Sequence, residues 1–312
     1  MIDTRKPIVV VGSINMDLCA RVSRLPHAGQ TLIGNGFEMT PGGKGANQAV
    51  AVARLGYPVW MVGKVGSSDE DQSDMFGHIL IDHLGSAGVG TEYVERVTGP
   101  SGVAQILVAD SGENVIVVIP GANGKMDTAT VDRHAALIRS AGMVLCQLEL
   151  PLETTLYTLA LCAEADVPVM LDPAPAAHLP DAAWSQITWF TPNETEAAFY
   201  LGQTRKREDT AKSLLSRGLR GVVLKEGSKG VYVAHADGET ASVGAFPVQA
   251  VDTVAAGDCF NGAFAVALLE CMPTEKAARF AAAAAAISVT RKGAQSSMPT
   301  RAEVDDFLRQ AQ

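Results

Sequence analysis

Short, continuously apolar runs alternate with helix-patterned segments through most of this 312-residue chain, and that alternation restricts the fold more than any other feature. Ile8, Val9, Val10 and Val11 form one such run, closed by Gly12. A run with no polar alternation suits a parallel strand buried on both faces. Similar runs recur at residues 58–65, 143–147, 167–171, 187–191 and 221–225, with helical segments at 44–55, 69–84, 127–140, 152–165 and 194–201 between them. The order predicts an α/β fold with a parallel-rich central sheet and helices on both faces. Ligands in such sheets sit outside the carboxyl ends of the strands. Asp17, Gln147, Glu149, Asn193 and the loop 225–230 all fall at such ends.

Two stretches break the rhythm. Asn15, Asp17, Cys19 and Arg21 alternate with Met16, Leu18, Ala20 and Val22, the period of a half-buried strand. Residues 102–110 and 114–119 flank Ser111-Gly112-Glu113, a hairpin signal. These segments predict a small antiparallel β lid, built from about 14–40 and 95–120, on one domain spanning 1–312. The lid's polar face carries Asn15 and Asp17 towards a ligand. Its apolar face has no helix to cover it, so a second lid buries it in a homodimer.

The densest chemistry lies in Asp252-Thr-Val-Ala255-Ala256-Gly257-Asp258, where small residues and a carboxylate meet the start of an apolar helix. A helix start presents unpaired N–H groups and a positive dipole end, and so attracts phosphate. Asp258 stands beside that cradle, placed to take a proton, which together suggests phosphoryl transfer to a hydroxyl. Alone, Gly-Asp also reads as a turn with a capping Asp. A second glycine-rich motif, Pro41-Gly-Gly43-Lys44-Gly-Ala-Asn47, precedes another helix and tips the balance towards the site. Neither G-x-x-x-x-G-K-[ST] nor G-x-G-x-x-G occurs, which argues against a P-loop NTPase or a dinucleotide enzyme.

A net charge of −9 argues against nucleic acid or anionic membranes as main partners. The lead into Ile8 is short and polar, and the apolar run 280–289 is too short to cross a bilayer, so it reads as a buried helix. Five cysteines without a C-x-x-C pair read as reduced thiols of a cytoplasmic protein, with Cys259 the candidate for reactivity.

Six motifs occur in order: Gly12-Ser-Ile-Asn15-Met-Asp17, Gly42-Gly-Lys-Gly-Ala-Asn47, Gln147-Leu-Glu149, Thr191-Pro-Asn193-Glu-Thr-Glu196, Asp252 to Asp258, and Thr290-Arg-Lys-Gly-Ala-Gln295. From about Ile8 to its last helix the chain resembles the ribokinase-like (PfkB) family of carbohydrate kinases. The resemblance implies ATP-dependent phosphorylation of a sugar, D-ribose at O5 first among candidates. Asp258 is then the general base, and the N–H groups from Ala255 through Ala256 and Gly257 to Asp258 form the anion hole. Asp17 and Asn47 grip sugar hydroxyls beside the Gly43 backbone, and Asn15 suits a further hydroxyl, which favours ribose over 2-deoxyribose. Lys44 supplies positive potential, and Glu149 reaches the anomeric end. Asn193 and Glu196 help to organise Mg²⁺ and phosphate. Lys225, Gly227, Ser228 and Gly230 match the loop along the nucleotide. Asp252, Val254, Ser288, Arg291, Gly293 and Ser297 match a monovalent-cation site for K⁺ activation. The homodimer is also what the resemblance implies.

Departures from the family pattern are Lys225 and Glu226 where Thr and an apolar residue are common, Met16 for a small residue beside Asp17, and Ala282 for a His near adenine. Gly66-Ser-Ser-Asp69 replaces a Gly-Asp-Asp turn and reads as a solvated helix start. A family kinase for 2-deoxyribose, fructose or a nucleoside, and a non-catalytic sugar sensor, stay open as alternatives.

Overall fold

The computed structural model describes residues 5–68, 73–204 and 206–311. The expected helix start at Asp69 lies outside the described residues. Among the described residues thirteen strands are present: β1 (Ile8–Val11), β2 (Asn15–Val22), β3 (Gly36–Gly42), β4 (Val59–Ser67), β5 (Val94–Thr98), β6 (Gly102–Ala109), β7 (Asn114–Ile119), β8 (Met143–Gln147), β9 (Val169–Asp172), β10 (Trp189–Phe190), β11 (Gly221–Lys225), β12 (Val231–His235) and β13 (Thr240–Val243). Nine form the central sheet in the order β13-β12-β11-β10-β9-β8-β1-β4-β5. It is parallel from β5 to β11 and antiparallel where β11, β12 and β13 turn back on one another.

Both faces of this sheet are covered, which is why its strands lack polar alternation. Ile8 and Val10 join the core on one face, while Val9 and Val11 join the core on the other. The first face packs under helices Lys44–Arg54, Met75–Ser86, Ala256–Leu269 and Thr274–Ser288. The Ala-rich run lies in the last of these, with Ala281, Ala283 and Ala284 fully buried. Helix Leu152–Glu164 is among those covering the second face. The segment expected as one helix over 127–140 divides at His134 into Thr128–Arg133 and Ala135–Ser140.

The second sheet, in order β3-β2-β6-β7, is the lid. Its β2–β3 and β6–β7 ladders are antiparallel, and its central β2–β6 ladder is parallel. Its second segment begins at Gly102 rather than near residue 95, because Val94–Thr98 pairs with β4 at the edge of the central sheet. Met16 points away from the Asp17 face of β2 and is buried in the core, so it does not reshape the ligand side of the lid. No helix among the described residues is long and apolar enough to cross a membrane.

Candidate active site

The carboxyl ends of β1, β8, β9, β10 and β11 share one rim because these strands are parallel. The motifs that follow them meet there. Ser13 Oγ donates to Glu149 Oε2 at 2.5 Å, and the Lys44 backbone N–H donates to the same oxygen at 3.1 Å. Glu149 is thereby tied to the segment after β1 and to the start of helix Lys44–Arg54. Gly43, at φ 87°, makes that junction possible: a Cβ there would stand 2.7 Å from the Asn15 backbone nitrogen.

Asn15 and Asp17 lie on one face of β2, two residues apart. Asn123 Nδ2 donates to Asn15 Oδ1 at 2.7 Å, which leaves the Asn15 Nδ2 group without a protein partner among the described residues. Asn123 also clamps the backbone of Ile14 through both its N–H and its carbonyl, at 2.9 and 3.1 Å. Burial, reinforced by the Glu149 and Asp258 carboxylates, pushes the Asp17 carboxyl up to about 7.

Asp258 is the third residue of helix Ala256–Leu269, whose capping residue Ala255 is left-handed at φ 59°. Its Oδ2 accepts from Asn47 Nδ2 at 3.0 Å and its Oδ1 from Gln48 Nε2 at 3.1 Å. These contacts depend on close helix packing. A Cβ on Gly262 would stand 2.7 Å from Ala51 Cβ, so glycine there lets the Asp258 helix lie against the Asn47 helix. Asn47 is held from the other side, since Gln295 Nε2 donates to its Oδ1 at 3.1 Å. Burial raises the Asp258 carboxyl above the usual carboxylate range, with Asp172 adding to the rise and Lys44 opposing it. Asp258 in turn raises the Lys44 ammonium. A group of raised proton affinity beside a helix start suits general-base work.

One N–H group of the expected cradle is already engaged. The Ala256 N–H turns back to Thr253 O at 3.3 Å beside the left-handed Ala255, so the candidate anion donors are the N–H groups of Ala255, Gly257 and Asp258. The adjacent Cys259 thiol is buried and pushed up to about 12, which opposes reactivity there.

Asn193 and Glu196, the residues expected on the nucleotide side, form a reciprocal capping box: Asn193 Oδ1 accepts from Glu196 N, and Glu196 Oε2 accepts from Asn193 N, each at 2.8 Å. Burial raises the Glu196 carboxyl, while Lys225 and Lys44 draw it down, so this carboxylate faces the same charged cluster. Gly227 and Ser228 lie in an exposed 3-10 turn, and nothing approaches within 4 Å of a Cβ built on Gly227. Gly230 is also required by the fold itself. Its φ is 103°, and a Cβ there would stand 2.1 Å from Val243 O, so packing against β13 demands the glycine. Ala282 lies in the core of helix Thr274–Ser288.

The residues matched to a monovalent cation lie on loops that touch. Asp252 Oδ1 accepts from Val254 N at 3.0 Å and Oδ2 from Gly293 N at 2.9 Å. The Arg291 N–H closes a turn onto Ser288 O at 3.0 Å, and Ser297 Oγ donates to Ala294 O at 2.7 Å. The Arg291 side chain points elsewhere, to Glu303 at 2.6 Å. An anionic carboxylate drawing two loops together fits a hard monovalent cation held by backbone oxygens.

Three polar residues of the site escape sequence reasoning. Asp172 accepts from Lys225 Nζ at 3.0 Å and from Gln48 Nε2 at 3.2 Å. Asn123, within the turn Gly121–Lys125, is the third.

A β lid over the carboxyl rim of a doubly covered sheet, and a helix-start carboxylate facing it, define a ribokinase-like sugar kinase. Residues 5–301 match the model of the pfkB family carbohydrate kinases. The chain belongs to that family. It is 43% identical over 306 residues to a ribokinase of Bacillus subtilis, covering 96% of this chain and 99% of that one. It is 38% identical over 307 residues to a deoxyribokinase of Salmonella typhi, covering 96% and 98%. It superimposes with a TM-score of 0.91 on the Arabidopsis thaliana ribokinase complexed with ribose and ATP, at 35% identity and covering 98% of this chain and 99% of that one.

Proposed function

We propose that this chain transfers the γ-phosphoryl group of ATP to O5 of D-ribose, giving D-ribose 5-phosphate and ADP. The observation that carries this reading is Asp258, clamped by two carboxamides at an open helix start and facing the pocket of Asn15, Asp17 and Glu149. The sugar O5–H gives its proton to the Asp258 carboxylate as O5 bonds to the γ-phosphorus. The bond from that phosphorus to the β-phosphate oxygen breaks, and ADP leaves. The N–H groups of Ala255, Gly257 and Asp258 stabilise charge on the moving phosphoryl group, and Lys44 offsets the carboxylates around it. Positioning and charge stabilisation supply most of such a reaction.

Asp17, Asn47 and Glu149 serve as hydroxyl acceptors, and the free Asn15 amide donates to an oxygen that 2-deoxyribose lacks. Initial rates of ADP release across ribose, 2-deoxyribose, fructose and adenosine test this reading. Ribose is expected to lead 2-deoxyribose by about tenfold or more in kcat/KM. A lead for another acceptor would keep the kinase and discard the ribose assignment. Ribose binding without turnover would indicate a sensor.

Mg²⁺, bound with the nucleotide, neutralises phosphate charge. Asn193 and Glu196 offer the hard oxygen donors it takes, through water and phosphate. The Asp252 loops are the candidate K⁺ site, and K⁺ there would stiffen the segment that leads into the anion cradle. Turnover is therefore expected to rise severalfold in K⁺ over tetramethylammonium at fixed ionic strength. Equal rates in the two salts contradict the cation assignment.

The Asp17 carboxyl gives a pH signature. Its pKa is raised to about 7, and its ionised form is the stronger acceptor for a sugar hydroxyl. Sugar affinity is therefore highest above that pH and falls as protonation sets in below it, by at most about tenfold per unit. The KM for ribose measured across the neutral range checks this, and a flat profile would remove Asp17 from the binding set.

The lid also supports a homodimer. Phe37, Met39 and all five residues from Val115 to Ile119 are exposed apolar side chains on its outer strands. A second lid is the proposed cover, and a light-scattering mass of one chain at micromolar concentration would oppose it. A cytoplasmic location is proposed from the reduced thiols and from the ATP chemistry.

A further inference from the structure

Asp172 closes β9 with a carboxylate only 2% exposed, a place where charge is costly unless paired. Its Oδ1 accepts from Lys225 Nζ at 3.0 Å, and its Oδ2 from Gln48 Nε2 at 3.2 Å. The same Gln48 amide donates to Asp258 Oδ1 at 3.1 Å. Gln147 Nε2 donates to Gln48 Oε1 at 2.8 Å, which fixes the direction of the carboxamide. One NH₂ group thus joins two buried carboxylates. At the far end of the chain of contacts, Lys225 Nζ stands 3.4 Å from where a Cβ on Gly257 would be. The ammonium borders the anion cradle, and Gly257 keeps the space between them open.

We propose that the Asp172–Lys225 pair is a positioning device for phosphoryl transfer: Lys225 turns from Asp172 to the transferring phosphoryl group when nucleotide fills the cradle, while Asp172, through Gln48, holds Asp258 towards the sugar hydroxyl. The proposal rests on the reading above and extends it to residues that touch no sugar. Lys225 moves no proton. The hydroxyl proton still passes to Asp258, O5 still bonds to phosphorus, and the bond to the ADP oxygen still breaks. As Lys225 leaves, the Asp172 charge bears more fully on Asp258, so arrival of the nucleotide strengthens the base. The other groups around Asp258 are fixed partners: Lys44, Asn47 and Gln48 from helix Lys44–Arg54, and Asp17 from β2, with Glu149 beyond it. Glu196 faces Asp172 and Lys225 from helix Glu194–Leu201.

The test is the steady-state kinetics of Lys225→Met, Lys225→Arg and Asp172→Asn in the full chain, with Mg-ATP and ribose, as a function of pH. Lys225→Met is expected to lose about ten- to a hundredfold in kcat/KM for ATP. Its ribose affinity by calorimetry stays unchanged, and Lys225→Arg recovers most of the loss. The acid limb of the kcat profile moves to lower pH in Asp172→Asn and to higher pH in Lys225→Met, opposite directions that a merely structural role would not produce. Wild-type kcat/KM for ATP in Lys225→Met, or limbs moving the same way, would overturn the proposal. If Lys225→Met misfolds, the double variant Asp172→Asn, Lys225→Met leaves no unpaired charge and is expected to show the same loss towards ATP. Absence of sugar turnover in the wild type would instead overturn the proposed function. Binding of a non-hydrolysable ATP analogue then decides the Lys225 assignment: weaker binding to Lys225→Met supports it, and equal binding refutes it.

Discussion

Asp258→Asn is expected to lower kcat by ~10²–10⁴-fold while the ribose dissociation constant stays close to that of the wild type. The carboxamide is nearly isosteric, so the helix start and the Gly262 packing keep their shape, and its oxygen keeps one of the two contacts from Asn47 and Gln48. What disappears is the acceptor for the hydroxyl proton, in a site where burial and Asp172 have raised its proton affinity. The loss therefore belongs to kcat rather than to sugar binding. Isothermal calorimetry beside single-turnover kinetics separates the two, and wild-type turnover with ribose bound would eliminate Asp258 as the base. An equal loss of ribose affinity would place Asp258 in binding instead.

Asn123→Ala carries the second large effect, on a residue remote from the phosphoryl group. Asn123 is buried, and its carboxamide satisfies the Ile14 N–H, the Ile14 carbonyl and the Asn15 side-chain oxygen at once. Three hydrogen bonds end and two backbone groups lose their partner, which together cost about 3–5 kcal/mol of stability. The released Asn15 no longer points its amide at a fixed place, so the KM for ribose is expected to rise by about tenfold. Denaturant unfolding and ribose kinetics on the same preparation check both parts. A variant as stable as the wild type would show that other contacts hold the start of β2.

These two residues mark how much the sequence discloses. Asp258 is legible because its chemistry and its position coincide in one short motif at a helix start. Asn123 sits in Gly-Ala-Asn-Gly-Lys, a turn with no periodicity, and its partners lie 108 and 109 residues away. Asp172 carried a readable signal, a carboxylate directly after the apolar run 167–171 at a strand's carboxyl end. Gln48 lay in plain view too, a carboxamide beside Asn47 on an otherwise apolar helix face. Only the fold reveals that they meet.

Strand boundaries follow the same division. Met143–Gln147 and Gly221–Lys225 match their expected bounds because nothing polar interrupts them. Gly36–Gly42 contains Pro41 and is mostly exposed, so its sequence resembles a loop, and the pairing with β2 makes it a strand. β12 and the edge strand β13 escape the same reading, each being a short run behind a glycine-containing turn. Gly230 shows that a glycine in a nucleotide-loop motif also answers to the fold, through a close backbone contact with β13.

The measurement that tests the central claim most directly is phosphorus NMR of the chain turning over Mg-ATP with ribose in K⁺. The account predicts a phosphomonoester signal coupled to the C5 methylene protons, growing in step with ADP. Release of ADP with inorganic phosphate alone, or phosphate on another ribose carbon, would contradict the assignment of Asp258 as the base that activates O5.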